Sequence, residues 1–233
     1  MNDLGTSIEK ATVRLERLLP GPIERVWAYL TESDKRATWF ASGVFDLRVG
    51  GKADLHFDHD NITSEKRPAD RPRGTNSDFP GTITRVEPPR LLAYTFGATS
   101  PESEVTFELE PRGKDVLLVI THRRLANRTT MINVAGGWDA HVGILADRLN
   151  GVEPRAFWST HARLKREYEA KLWARIASSP YRTQRRWQTH LFAVDLLLTH
   201  FGLSTEDERA GHQGGWTGAL TNLERLFEPG STP

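Results

Sequence analysis

The stretch Gly136-Gly137-Trp138-Asp139-Ala140-His141-Val142-Gly143-Ile144-Leu145-Ala146-Asp147-Arg148-Leu149 decides how this chain folds. Trp138, Val142, Leu145 and Leu149 recur at helical spacing. The segment therefore predicts a helix that opens at Gly136-Gly137 and carries one broad apolar face, with Asp139, Asp147 and Arg148 pointing elsewhere. Such a face must be buried. The preceding segments alternate apolar and polar residues and can offer the apolar side of an antiparallel sheet. The expected product is an α+β fold in which a curved sheet grips a long helix, an arrangement that commonly encloses a pocket.

Working toward the N-terminus, residues 115–122 and 104–110 read as strands joined by the turn Pro111-Arg112-Gly113-Lys114. Residues 91–96 and 81–86 read as two more, joined at Glu87-Pro88-Pro89-Arg90. Residues 61–80 are rich in Pro, Asp, Arg and Ser without apolar period, which predicts a long mobile loop of the kind that serves as a lid. Phe45, Leu47, Val49, then Gly50-Gly51, then Ala53, Leu55, Phe57 predict a hairpin whose glycine pair supplies positive φ angles. Residues 11–19 alternate Val13 and Leu15 with Arg14 and Glu16, a first strand, for about seven in all. After Pro20-Gly21-Pro22, the residues Ile23, Val26, Trp27 and Leu30 predict a short helix, and a second small turn ends at Trp39-Phe40.

Toward the C-terminus, Phe157, Trp158, His161, Leu164, Tyr168 and Leu172 continue a helical stripe, and the first domain is expected to span 11–172. Residues 173–233 are expected to form a helical extension, with a helix over 183–201. A shift of 78 positions brings Thr121, His122, Gly136, Gly137 and Trp138 onto Thr199, His200, Gly214, Gly215 and Trp216, either a partial repeat or two similar helix starts. The extension could cap the first domain or mediate a homodimer through Trp187, Trp216, Leu220 and Leu223.

The 233 residues carry no cysteine, which excludes disulfides, thiol nucleophiles and thiolate-ligated zinc. A net charge of +1 with dispersed signs argues against a nucleic-acid partner. The start has no signal-peptide order and the longest apolar run is too short to span a bilayer, so a cytoplasmic protein without a membrane partner is expected.

Several runs together resemble a known family. They are Pro22-Ile23-Glu24-Arg25-Val26-Trp27, Trp39-Phe40, Gly50-Gly51, Val86-Glu87-Pro88-Pro89-Arg90-Leu91, Ser103-Glu104-Val105-Thr106-Phe107, Thr121-His122-Arg123-Arg124-Leu125, Gly137-Trp138 with His141, and Phe157-Trp158 with His161 and Tyr168. In these runs the chain resembles the bacterial branch of the family named after the activator of heat-shock-protein ATPase, within the SRPBCC superfamily. The resemblance implies the helix-grip, or START-like, fold over 11–172. It implies no single activity, because that fold is shared by lipid carriers, receptors, cyclases and dehydratases. A chaperone partner is not expected, since the chaperone-binding domain of the eukaryotic members has no room before Ala11.

No catalytic constellation stands out. Ser159 beside His161 lacks a strained turn, Asp139 and Asp147 are too far apart for a carboxylate pair, and no phosphate loop is present. His56, Asp58, His59 and Asp60 invite a metal reading, but a solvated strand face explains them and no metal or other cofactor is expected. The pocket signal is aromatic. Trp39, Phe40, Phe57, Tyr94, Phe96, Phe107 and Trp138, with Leu145 on the gripped helix, are candidates to line a cavity, and Tyr94, His122 and His141 are candidate polar groups within it. For any single ring, core filling is the commoner role. The expectation is a small-molecule-binding protein for an apolar or aromatic ligand. The alternatives are a cofactor-independent cyclase, dehydratase or hydrolase using His122 or His141, and a stress-related interaction module.

Overall fold

The computed structural model describes residues 7–9, 11–69, 78–97 and 102–177, with side chains from 11 to 170 within those ranges. The chain divides into two compact units, 1–170 and 171–233. The helix expected over 183–201, the residues Thr199, His200, Gly214, Gly215 and Trp216 matched at the shift of 78 positions, and the expected homodimer residues Trp187, Trp216, Leu220 and Leu223 lie outside the described residues.

Strands β1 (Ser7–Glu9), β2 (Thr12–Pro20), β5 (Ile83–Glu87), β6 (Leu91–Thr95), β7 (Glu104–Arg112) and β8 (Asp115–Arg123) form one antiparallel sheet in the order β1-β2-β8-β7-β6-β5. Register explains why one face is dry. Val13 opposes His122 and Leu15 opposes Ile120, while Val105 opposes His122 from the other side and Phe107 opposes Ile120. Leu92 opposes Phe107 in turn. All of these are buried, whereas Arg14 and Glu16, one position out of phase, carry an ion pair on the wet side.

The hairpin expected over 43–57 is mostly irregular. It survives as two isolated bridges, Phe45 to Ala53 and Ser42 to His56. The strand β3 (Leu55–His56) pairs with β4 (Asp78–Phe79), which lies inside the segment expected to be loop throughout. A 3-10 turn at His59–Asn61 leads into that segment, and with β3 and β4 eight strands are present among the described residues. Only Gly50 of the glycine pair has positive φ, at +80°. Gly51 is needed for closeness, since a Cβ would stand 2.1 Å from the Asp46 carbonyl oxygen.

Helix α1 (Ile23–Thr31), entered from Pro22, buries Val26 and Leu30, and α2 (Ser33–Ala37) follows directly. Arg36 on α2 is a charge in the core, 1% exposed. It is satisfied there by donating to the carbonyls of Ala41 (3.0 Å), Thr31 (2.9 Å) and Gly43 (2.5 Å), and its guanidinium lies 3.7 Å over the Phe45 ring. Burial pushes its pKa down to about 10, still well above neutrality. By gathering the carbonyls on either side of Trp39 and Phe40, Arg36 fixes the segment that carries those rings.

The gripped helix is longer than its sequence suggests. Helix α3 spans Arg128–Leu149, so Gly136-Gly137 lies inside it and does not open it. The start is Asn127, whose side-chain oxygen accepts from the Thr130 amide at 2.9 Å, a cap that contributes about 1 kcal/mol. Gly136 is where the next helix, α4 (Phe157–Ala177), approaches: a Cβ there would sit 3.3 Å from the Lys165 amide nitrogen. Asp139 is buried, contrary to expectation, and ties three elements together. It accepts from Arg17 of β2 at 2.5 Å and from the Tyr168 hydroxyl of α4 at 3.1 Å. Among the described residues no helix is long and apolar enough to cross a membrane.

Candidate functional site

A cavity of about 330 Å³ lies between α3 and the mouth of the sheet. Among the described residues its wall is formed by Phe40, Phe57, Phe96, His122, Thr130, Asn133, Val134, Gly137, Trp138 and His141. Phe40 is the hub. It stacks on Trp138 with centroids 4.9 Å apart, meets Phe57 edge-on at 5.0 Å and His141 edge-on at 5.1 Å. Phe96 closes the sheet side, 5.9 Å from Trp138.

Of the candidate ligand-contacting residues, Phe40, Phe57, Phe96, His122, Trp138 and His141 are brought together in this wall. Trp39, Tyr94, Phe107 and Leu145 stand behind it as packed core. The Trp39 indole donates to the Tyr29 carbonyl at 2.9 Å, and Phe107 supports Trp138 edge-on from below at 5.4 Å. Tyr94 packs between Phe45 and Phe107, and Leu145 is fully covered. Thr130, Asn133, Val134 and Gly137 were not anticipated, because they lie on turns of α3 that begin before Trp138. The signal was available in Asn127, a favoured capping residue, followed by Ile132 and Ala135 in phase with Trp138 and Val142.

His122 is held at both ring nitrogens. Trp138 donates its indole N–H to Nδ1 at 3.1 Å, so the proton of the neutral ring is on Nε2, which reaches the Ser103 hydroxyl at 3.3 Å. Ser103 in turn donates to the Phe96 carbonyl at 2.7 Å. Burial pushes the pKa of His122 down to about 3. A protonated His122 would also confront the Trp138 N–H with a second donor. This histidine therefore orients Trp138 and is not free to move protons.

His141 is arranged differently. Its Nδ1 lies 2.7 Å from the Trp39 carbonyl, which can only accept, so Nδ1 carries the hydrogen and Nε2 is left as an acceptor. Burial holds its pKa well below the usual value, and the nearby His59 and His161 add to this. Phe157 sits among all three imidazoles, stacked on His59 at 4.7 Å and on His161 at 5.7 Å, and 4.8 Å from His141. The first turn of α4 is capped from outside: the Phe157 amide donates to Thr63 Oγ1 at 3.2 Å and the Ser159 amide to Glu65 Oε2 at 3.1 Å. Arg67 pairs with Asp60 at 3.0 Å and lies 4.7 Å over the Trp158 ring.

The four residues that suggested a metal are dispersed in role. His56 pairs with Asp78, Asp58 accepts from the Asp60 amide and the Asn61 side chain, and His59 is packed on Phe157. Among the described residues no group of three His, Asp or Glu side chains is placed to hold a metal ion.

The family described as Activator of Hsp90 ATPase homolog 1-like protein matches residues 20–150. Among solved structures, a protein from Bordetella parapertussis determined by NMR is 46% identical, with 71% of this chain and 88% of that one covered at a TM-score of 0.61. CalU16 from Micromonospora echinospora is 23% identical over 72% of this chain and 88% of that one at a TM-score of 0.51. A conserved protein of unknown function from Enterococcus faecalis is 20% identical over the same shares at 0.52. At those identities the last two show a common fold alone. No curated protein matches.

Proposed function

This chain belongs to the Activator of Hsp90 ATPase homolog 1-like family, and from that premise we propose that it binds a small apolar or aromatic ligand in the cavity beside α3. One observation carries the reading. Phe40, Phe57, Phe96 and Trp138 surround about 330 Å³ of space, near the lower end of the roughly 300–1,000 Å³ usual for small-ligand sites, with few polar groups among them. A ligand of one or two rings fits that volume. Binding is favoured over proton-transfer chemistry because His122 is committed at both nitrogens and both cavity histidines are held neutral by burial.

Gly137 offers the sharpest test. It lines the cavity, and a Cβ built on it meets nothing within 4 Å. Gly137→Leu is expected to fill the cavity and weaken a stoichiometric hydrophobic fluorescent probe by at least about tenfold, while replacing a helical glycine adds about 0.5–1 kcal/mol of stability. Probe titration and thermal melts of both forms read the two effects separately. Unchanged probe affinity in the filled variant, or no saturable binding by the parent protein, would remove the proposal. Native mass spectrometry of freshly purified protein then identifies what occupies the space.

A further inference from the structure

Building on the cavity-binding reading, we propose that the site selects an uncharged aromatic ligand carrying a hydroxyl or N–H group, which donates a hydrogen bond to His141 Nε2.

Among the described residues four polar side chains line the cavity: His122, Thr130, Asn133 and His141. Among the described lining residues there is no Lys, Arg, Asp or Glu. His122 spends its acceptor on Trp138 and its donor on Ser103. Thr130 spends its hydroxyl hydrogen on Asn127 Oδ1 at 3.1 Å, which leaves its oxygen able only to accept. His141 spends its N–H on the Trp39 carbonyl and likewise keeps only an acceptor. Asn133 is exposed at the rim, where water competes for its amide. Among the described residues the interior thus presents lone pairs and aromatic faces, with no side-chain donor to spare.

That pattern discriminates between ligands of the same shape. A carboxylate would bring more lone pairs against lone pairs and would have to shed its water with no cation among the described lining residues to replace it. Protonating His141 could supply one, but burial among Phe40, Phe157 and the neighbouring imidazoles of His59 and His161 opposes that at neutral pH. An ether or plain hydrocarbon would fill the space and leave Nε2 unanswered. A phenol-like hydroxyl both fills and answers it.

Three bicyclic probes separate these cases when titrated calorimetrically into the full chain at pH 7: 2-naphthol, 2-methoxynaphthalene and 2-naphthoate. We expect 2-naphthol to bind about tenfold tighter than the ether, the size of one good hydrogen bond, and at least about a hundredfold tighter than the carboxylate. In protein labelled with 15N-histidine, His141 should show hydrogen on Nδ1 before ligand is added. Its Nε2 resonance should move with 2-naphthol and stay in place with the ether. Equal affinity for the ether or the carboxylate, or an Nε2 resonance indifferent to 2-naphthol, overturns the selection while leaving the cavity reading intact. Failure of all three probes to bind sinks both.

Discussion

Asp139→Ala is expected to lower the free energy of unfolding by about 3–5 kcal/mol, because it strands Arg17 as an unpaired charge on the covered face of the sheet. The carboxylate serves two partners, accepting from the Arg17 guanidinium at 2.5 Å and the Tyr168 hydroxyl at 3.1 Å, and so links β2, α3 and α4. Burial pushes its pKa up, and the Arg17 charge and the Tyr168 hydroxyl pull it back. The desolvation already incurred makes removal of one partner costly, whereas exchange of the pair is cheap. A double replacement such as Arg17→Met with Asp139→Leu should therefore recover most of the loss, and urea denaturation of the single and double variants measures both. If the single variant loses less than about 1 kcal/mol, the pair is not what docks α3 and α4 onto the sheet.

The protein should also be acid-labile, beginning well above the carboxylate range. Burial lowers the pKa of His59 to about 4, with Arg67 and His161 adding to the effect and Asp58 and Asp60 opposing it. It lowers that of His122 to about 3 and that of His141 well below its usual value. Above pH 6.5 these rings are neutral in both folded and unfolded chains, and the full stability is present. Below it the unfolded chain takes up protons that the folded chain refuses, so stability falls by as much as about 1.4 kcal/mol per pH unit for each histidine. The raised pKa of Asp139 works in the opposite direction in acid, but it is one group against three. Urea midpoints taken at pH 7.5, 6.5, 5.5 and 4.5 should drop steeply over the last two steps. His59→Phe, which preserves a ring against Phe157, should remove one histidine's share of the slope. A flat profile from pH 7.5 to 4.5 would contradict this account of the cluster.

Much of the architecture was written in local pattern. Strands β5 to β8 and β2 follow from period-two alternation, α1 from Pro22 and its apolar spacing, and α4 from the stripe beginning at Phe157. Where pattern misled, a long-range contact had overridden a local preference. Gly136-Gly137 looks like a helix start because glycine is a poor helix former. It is tolerated mid-helix because Gly136 lets α4 come close and Gly137 faces the cavity. Leu55-His56 looks like half of a hairpin, yet its strand partner is Asp78-Phe79, more than twenty residues away.

For the candidate site the division is sharper. Residue type alone nominated Phe40, Phe57, Phe96, His122, Trp138 and His141, since aromatic rings and imidazoles on elements around one helix must meet near it. Type could not separate them from Trp39, Tyr94, Phe107 and Leu145, which have the same chemistry and fill the core behind. Nor could it assign the proton on either histidine, because a tautomer is chosen by the partner across the bond. The Trp138 indole chose it for His122 and the Trp39 carbonyl, 102 residues away, for His141. Composition and periodicity, which act between neighbours in the chain, determined most strands of the main sheet and the apolar stripes of the helices. Depth of burial, proton placement and the hollow beside α3 depend on groups brought together from distant parts of the chain, and only the tertiary structure decided them.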